Sequence, residues 1–200
     1  MICLLNKMRV CCCFIIAISF FSCQNKSDKH LEVVTYEQFE AFVNATNYIT
    51  DAEKYGWSIV QQDVYNYTTA KNANWKLPDG KNPPASKQLP VTQVSYNDAI
   101  AYCKWANTKL PTYNEYWDMV SDDKREIVSD NKAPISDANK VNIVGNVWDI
   151  TATQDTKNVR LAGGSLFCSP DTCHGTSKDR EMFVDKETGN INIGFAVLTN

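Results

Sequence analysis

The 200-residue chain sets 20 Lys and Arg against 23 Asp and Glu, for a net charge of −3, and 44% of it is hydrophobic. A mixed, mildly acidic composition with no basic patch excludes nucleic acid as a partner. The length suffices for one domain with a sizeable core, and neither an internal repeat nor a second domain is visible.

The first residues read as a targeting segment. Lys7 and Arg9 form a positive region ahead of the twelve-residue apolar run VCCCFIIAISFF, residues 10–21. That run fits the hydrophobic region of a signal peptide and falls short of the ~20 residues that a membrane-spanning helix needs. FFSC, residues 20–23, looks like a bacterial lipobox, with Phe20 where leucine is usual. Residues 1–22 are therefore expected to be a lipoprotein signal peptide, Cys23 the lipidated residue, 23–32 a polar tether and 33–200 the folded domain; plain secretion with cleavage nearby is the alternative. The expected location is the bacterial cell envelope, lipid-anchored in the periplasm or at the cell surface. Removal of Lys7 and Arg9 takes the net charge from −3 to −5 and leaves Cys103, Cys168 and Cys173 to the domain.

TYEQFEAFVNAT (35–46) puts Phe39, Phe42 and Val43 on one helical face, with Glu37 and Glu40 toward water. VSYNDAIAYCKWAN (94–107) predicts a second helix, opened by Ser95 and Asp98 in a capping-box pattern and packed through Ile100, Cys103 and Trp105. LPTYNEYWDMV (110–120) opens a third in the same way, with Thr112 as N-cap and Glu115 three residues on. Turn-rich stretches such as NANWKLPDGKNPP (72–84) lie between. Strands are predicted only for NVRLAGGS (158–165) and NIGFAVL (192–198). The sum is an α+β domain of low regular content, its loops fixed by aromatic side chains or metal ions.

Two stretches carry candidate chemistry. In GGSLFCSPDTCHG (163–175), Cys168 and Cys173 follow a Gly-Gly-Ser turn. Two nearby cysteines in an oxidising compartment commonly form a disulfide; two thiolates are also soft ligands suited to copper(I). NIVGNVWD (142–149) is either a turn with an exposed Asp149 or a site where side-chain and main-chain oxygens meet a calcium ion.

The blocks FVNATNYITDAEKYGWSIV, ANWKLPDG, PVTQVSYNDAIAYCKWANTKLPTYNEYW, NIVGNVWDIT and GGSLFCSPDTC occur in the order found in the formylglycine-generating enzyme (sulfatase-modifying factor) family, which the chain resembles from about residue 33 onward. The resemblance implies a C-type-lectin-like variant fold. It implies a copper-dependent oxidase that uses molecular oxygen to convert a cysteine of a sulfatase C-x-P-x-R segment, or of another protein, to formylglycine. By the same resemblance Cys168 and Cys173 hold Cu(I), Ser165 is an active-site serine and Trp148 walls the pocket. Asn142, Gly145, Val147 and Asp149 hold Ca2+, with Asp149 where the family usually has Glu.

The chain also departs from the family. The segment between YWDMV and NIVGN is short, so no second calcium site is expected. The chain reads Gly194-Phe195-Ala196 where the family ends in Gly-Phe-Arg, leaving Arg180 as the nearby arginine. Cys103 stands at a family disulfide position whose partner is here Val197, so it reads as a buried free thiol. A non-catalytic, lectin-like surface lipoprotein is the alternative. The related non-haem-iron sulfoxide synthases need more histidines than His30 and His174.

Overall fold

The computed structural model describes residues 29–121, 143–167 and 177–199. Four helices lie among them: α1 Tyr36–Thr46, α2 Asp51–Tyr55, α3 Tyr96–Ala106 and α4 Tyr113–Val120. All four begin the same way. Thr35, Thr50, Ser95 and Thr112 accept the N3 backbone N–H, while Gln38, Glu53, Asp98 and Glu115 reach back to the cap residue's own N–H. Each box satisfies two donors that a helix start would otherwise leave bare. The three longer helices match the expected ones; α2, with its Thr50 and Glu53 box, was not expected.

Among the described residues, eight strands form three small sheets. β1 His30–Val33 pairs antiparallel with β8 Ala196–Thr199, and β2 Trp57–Gln61 with β3 Tyr67–Lys71. The third sheet has the order β6-β5-β4-β7, built from β4 Trp148–Ile150, β5 Asn158–Ala162, β6 Met182–Asp185 and β7 Ile193–Gly194. β7 runs parallel to β4 and the other pairs are antiparallel.

The strand expected over 192–198 is two strands in two sheets. β7 joins β4, Phe195 is buried between them, and β8 leaves to join β1. The strand expected over 158–165 ends at Ala162, because Gly163 and Gly164 take φ of 86° and 70°, which breaks the ladder. β1 takes up the last residues of the segment read as tether: Leu31 is buried against α4 through Tyr116 and Val120.

Phe39 centres the core, with ring centroids 5.3 Å from Phe42, 5.5 Å from Trp75, 6.0 Å from Tyr102 and 6.3 Å from Phe195. On α3 the buried face is Ala99, Tyr102 and Cys103. Trp105 does not belong to it as expected; it is 43% exposed, its ring resting on Phe42 and Tyr102 at the edge. Cys103 is a free, buried thiol, pushed up to about 11 by burial.

Candidate functional site

Two sequence blocks 20 residues apart are stitched into one structure. The Gly145 N–H donates to the Gly163 carbonyl at 2.7 Å, and the Leu166 N–H to the Asn146 carbonyl at 3.0 Å. These bonds lay the Gly-Gly-Ser turn along the loop that leads into β4. A third block arrives from the C-terminal end, where the Trp148 N–H donates to the Asn192 carbonyl at 2.8 Å. Ser165, Trp148 and Asn192 thereby meet.

Ser165 is wholly buried. Its Oγ accepts from Asn192 Nδ2 at 3.1 Å and from the Phe167 N–H at 3.3 Å. Asn192 Nδ2 also donates to Gln61 Oε1, and Gln61 Nε2 to the Asp63 carbonyl at 2.9 Å. The serine hydroxyl is thus fixed from two sides, directly after the left-handed glycine pair and three residues before Cys168.

Beside this chain of bonds lies a cleft of about 210 Å³. Trp148, Ile193, Met182 and Val184 supply apolar wall from the four-stranded sheet; Ile59, Gln61 and Tyr67 face them from the β2–β3 hairpin. Asn190 and Asn192 also line it, and the Oδ1 atoms of both are buried with no hydrogen-bond partner. Buried acceptors left bare cost ~1–3 kcal/mol each, and such groups gather where a ligand supplies the donor.

Asp149 lies on the neighbouring strand position, 0% exposed. This rules out the turn with an exposed Asp. Tyr116 Oη donates to Asp149 Oδ2 at 3.0 Å, while Oδ1 has no partner. Burial pushes the carboxyl up to about 8, with the tyrosine pulling weakly the other way. Gly163 closes over the pair: a Cβ there would stand 2.2 Å from Tyr116 Oη and 3.3 Å from Asp149 Oδ2. Gly145 and Val147 are buried on the loop leading to Asp149, Gly145 itself at φ 83°. Asp149 Oδ1 is thus a buried oxygen with no donor, the kind of hard atom that a hard cation takes as a ligand.

Cys168, Cys173, His174, Asn142 and Cys23 lie outside the described residues. Arg180 is exposed; its carbonyl, like that of Lys178, accepts from Tyr113 Oη, at 3.2 and 2.6 Å. The described residues also contain Gln61, Asn190 and Asn192, which sequence reasoning missed. Asn190 and Asn192 sit beside or in a stretch read for its apolar residues, and Gln61 directly follows a block read only for its resemblance, so an amide flanking a short apolar run was their only signal.

Residues 30–121 match the FGE-sulfatase family, described as the sulfatase-modifying factor enzyme 1-like domain. A formylglycine-generating enzyme of Thermomonospora curvata is 38% identical over 105 residues, covering 44% of this chain and 34% of that protein. The chain thus aligns with about a third of that relative's length. An inactive C-alpha-formylglycine-generating enzyme 2 of Bos taurus is 26% identical over 223 residues, covering 81% of this chain and 73% of that one. Among solved structures, PvdO from Pseudomonas aeruginosa superposes with a TM-score of 0.57 at 13% identity, covering 83% of this chain and 77% of that one. The mixed, loop-rich architecture is therefore the fold expected from the sequence.

Proposed function

Because this chain carries a domain of the formylglycine-generating enzyme family, we propose that it oxidises a cysteine in a sulfatase C-x-P-x-R segment to formylglycine. The observation that carries the reading is Ser165, wholly buried, locked by Asn192 and Phe167, and joined through Asn192 to the cleft that Trp148 walls. Cys168 follows this fixed point three residues on in the sequence. Cys168 and Cys173 are the proposed copper ligands, because two thiolates form the soft donor set that Cu(I) prefers. When bound, the copper would supply the activation of molecular oxygen. This chain's own residues hold the serine and shape the apolar wall.

The test is a Cu(I) competition titration beside oxygen uptake with a cysteine peptide. Ser165→Ala is expected to keep its fold and copper while peptide oxidation falls at least tenfold. Cys168→Ser and Cys173→Ser should lose both copper and oxidation, and Cys103→Ser should lose neither. A fully reduced wild-type protein that binds no Cu(I) overturns the reading. A second reading, a scaffold without catalysis, is favoured by the long alignment to the inactive bovine paralogue. It predicts an intact fold and no oxygen uptake with any cysteine peptide.

The same reading places calcium on Asn142, Gly145, Val147 and Asp149, supported by the partnerless Asp149 Oδ1. Calcium at 100-fold above its dissociation constant should stabilise the protein by about 2.7 kcal/mol. Asp149→Asn keeps an acceptor for Tyr116 and removes the charge. It should abolish most of that gain in a thermal melt, and equal responses from variant and wild type would misplace the site.

Lipidation of Cys23 is proposed from the positive region, the short apolar run and the lipobox-like FFSC. No helix among the described residues is long and apolar enough to cross a membrane. Cys23→Ala should move the protein out of the membrane fraction or stall its processing. Unchanged membrane retention with normal cleavage refutes the anchor.

A further inference from the structure

The start of α4 is laced to the chain just beyond β4. Thr112 pairs with Ala152 in an isolated parallel bridge, and the Ala152 N–H donates to the Pro111 carbonyl at 2.8 Å. Four residues on from the cap, the Tyr116 N–H donates to the Thr112 carbonyl at 3.0 Å. The first turn of the helix therefore carries the Tyr116 ring to the strand that holds Asp149. There it is wholly buried, in one cluster with Leu31, Val33 and Ala162, and it meets the Trp117 ring edge-on at 5.4 Å.

The hydroxyl of Tyr116 ends in a closed place. It donates to Asp149 Oδ2 at 3.0 Å, and a Cβ at Gly163 would stand 2.2 Å from it. Gly163 in turn accepts the Gly145 N–H through its carbonyl at 2.7 Å. One hydroxyl thus lies against the carboxylate and against the turn that carries Ser165. A carboxylate has a broad choice of angle about its last bond, and the tyrosine takes that choice away. Oδ2 is held, and the partnerless Oδ1 is the oxygen left to a ligand. Asp149 is also one carbon shorter than the glutamate usual in the family. A carbon–carbon bond adds about 1.5 Å, which a 3.0 Å contact to the hydroxyl cannot absorb. The tyrosine hydroxyl and the shorter acid fit each other.

We propose that Tyr116 is a positioning residue for the cation at Asp149, its hydroxyl setting the carboxylate so that aspartate serves where a longer acid is usual. The proposal rests on the calcium reading and adds to it a residue outside the ligand set. Carboxylates that bind a metal are themselves held by hydrogen bonds, and loss of such a partner weakens metal binding about 10–100-fold. A hydroxyl that merely satisfied a buried acid would behave differently. Its removal would destabilise the metal-free protein and leave calcium affinity alone.

The test is a calorimetric titration of calcium into four full-length proteins: the wild type, Tyr116→Phe, Asp149→Glu and the two changes together. Tyr116→Phe keeps the ring and its packing on Trp117 and removes the hydroxyl. Its dissociation constant for calcium should rise about tenfold or more. Asp149→Glu should bind more weakly by a similar factor, because the longer acid meets the hydroxyl. The double variant should return to within about threefold of the wild type, where independent effects would multiply to about a hundredfold. Should Tyr116→Phe fold only with calcium, the calcium concentration at its folding midpoint reports the same loss. A Tyr116→Phe protein that melts lower without calcium yet binds it as tightly as the wild type, or more tightly, overturns the proposal. So do single effects that simply multiply in the double variant. Both of those results leave the calcium site standing. A wild type that takes up no calcium ends the calcium reading itself, and the proposal with it.

Discussion

Asp98 is a fully buried carboxylate that holds three donors. Its Oδ1 accepts from Tyr48 Oη and from the Asp51 N–H, each at 3.1 Å, and its Oδ2 accepts from the Ser95 N–H at 2.9 Å. Burial pushes its carboxyl up to about 6, against the pull of the Ser95 N–H, and the charge of Asp51 adds to the rise. Asp51 itself is also penalised by burial, yet its hydrogen bonds from Lys54, Ser95 and Asn97 bring it below the ordinary range. The pair therefore divides its roles: Asp51 stays charged, and Asp98 takes the proton first. A carboxyl whose folded pKa is raised binds protons more tightly in the native state, so its ionisation costs stability as pH climbs from about 4 through about 6. Relative to Asp98→Asn, the wild type should lose up to about 3 kcal/mol across that window, the equivalent of roughly two pKa units. Urea unfolding of both proteins at pH 4.5 and 7.5 measures this. Parallel stabilities at the two pH values would show that Asp98 is ionised throughout.

β1 is the element whose weight in the fold exceeds its length. Its four residues pair with β8 in register from His30↔Thr199 to Val33↔Ala196. Leu31 and Val33 enter the cluster that also holds Tyr116, the donor to Asp149, and the Val34 N–H goes on to the Phe195 carbonyl at 3.1 Å. Burying a large aliphatic side chain contributes ~1.5–3 kcal/mol, so removal of Leu31, Val33 and Val34 should cost about 4.5–9 kcal/mol. A small domain has only ~5–15 kcal/mol in all. A chain starting at residue 29 should melt like one starting at residue 23, whereas one starting at residue 35 should lose its cooperative melt or most of its melting temperature. Equal melts for the two truncations would mean that β8 is held without β1. The loss should spread to the site, because Tyr116 and Gly163 are packed against each other.

At the scale of the whole molecule, the sequence by itself determined what depends on near neighbours. Three helix starts were legible because a capping box is complete within four residues, and Phe39, Phe42 and Val43 were legible as core because a helix repeats its face every three or four. Cys103 was legible as a buried thiol on the same ground. The order of blocks gave the fold. The α2 box, Thr50 and Glu53, was equally present and went unread, since five residues carry no apolar period. Tertiary structure alone decided the rest. NIGFAVL is one apolar run, yet β7 and β8 belong to different sheets, because each half meets a different partner strand some 45 or more than 160 positions away. Nothing local states that Asn192 reaches Ser165, that Asp149 is sealed under Gly163, or that Tyr55 and Trp57 face Asp185 and Glu187. Those contacts join residues 14 to 132 positions apart. They exist because burial of the shared core fixes where each loop must pass, and that is a sum over the whole chain rather than a property of any stretch of it.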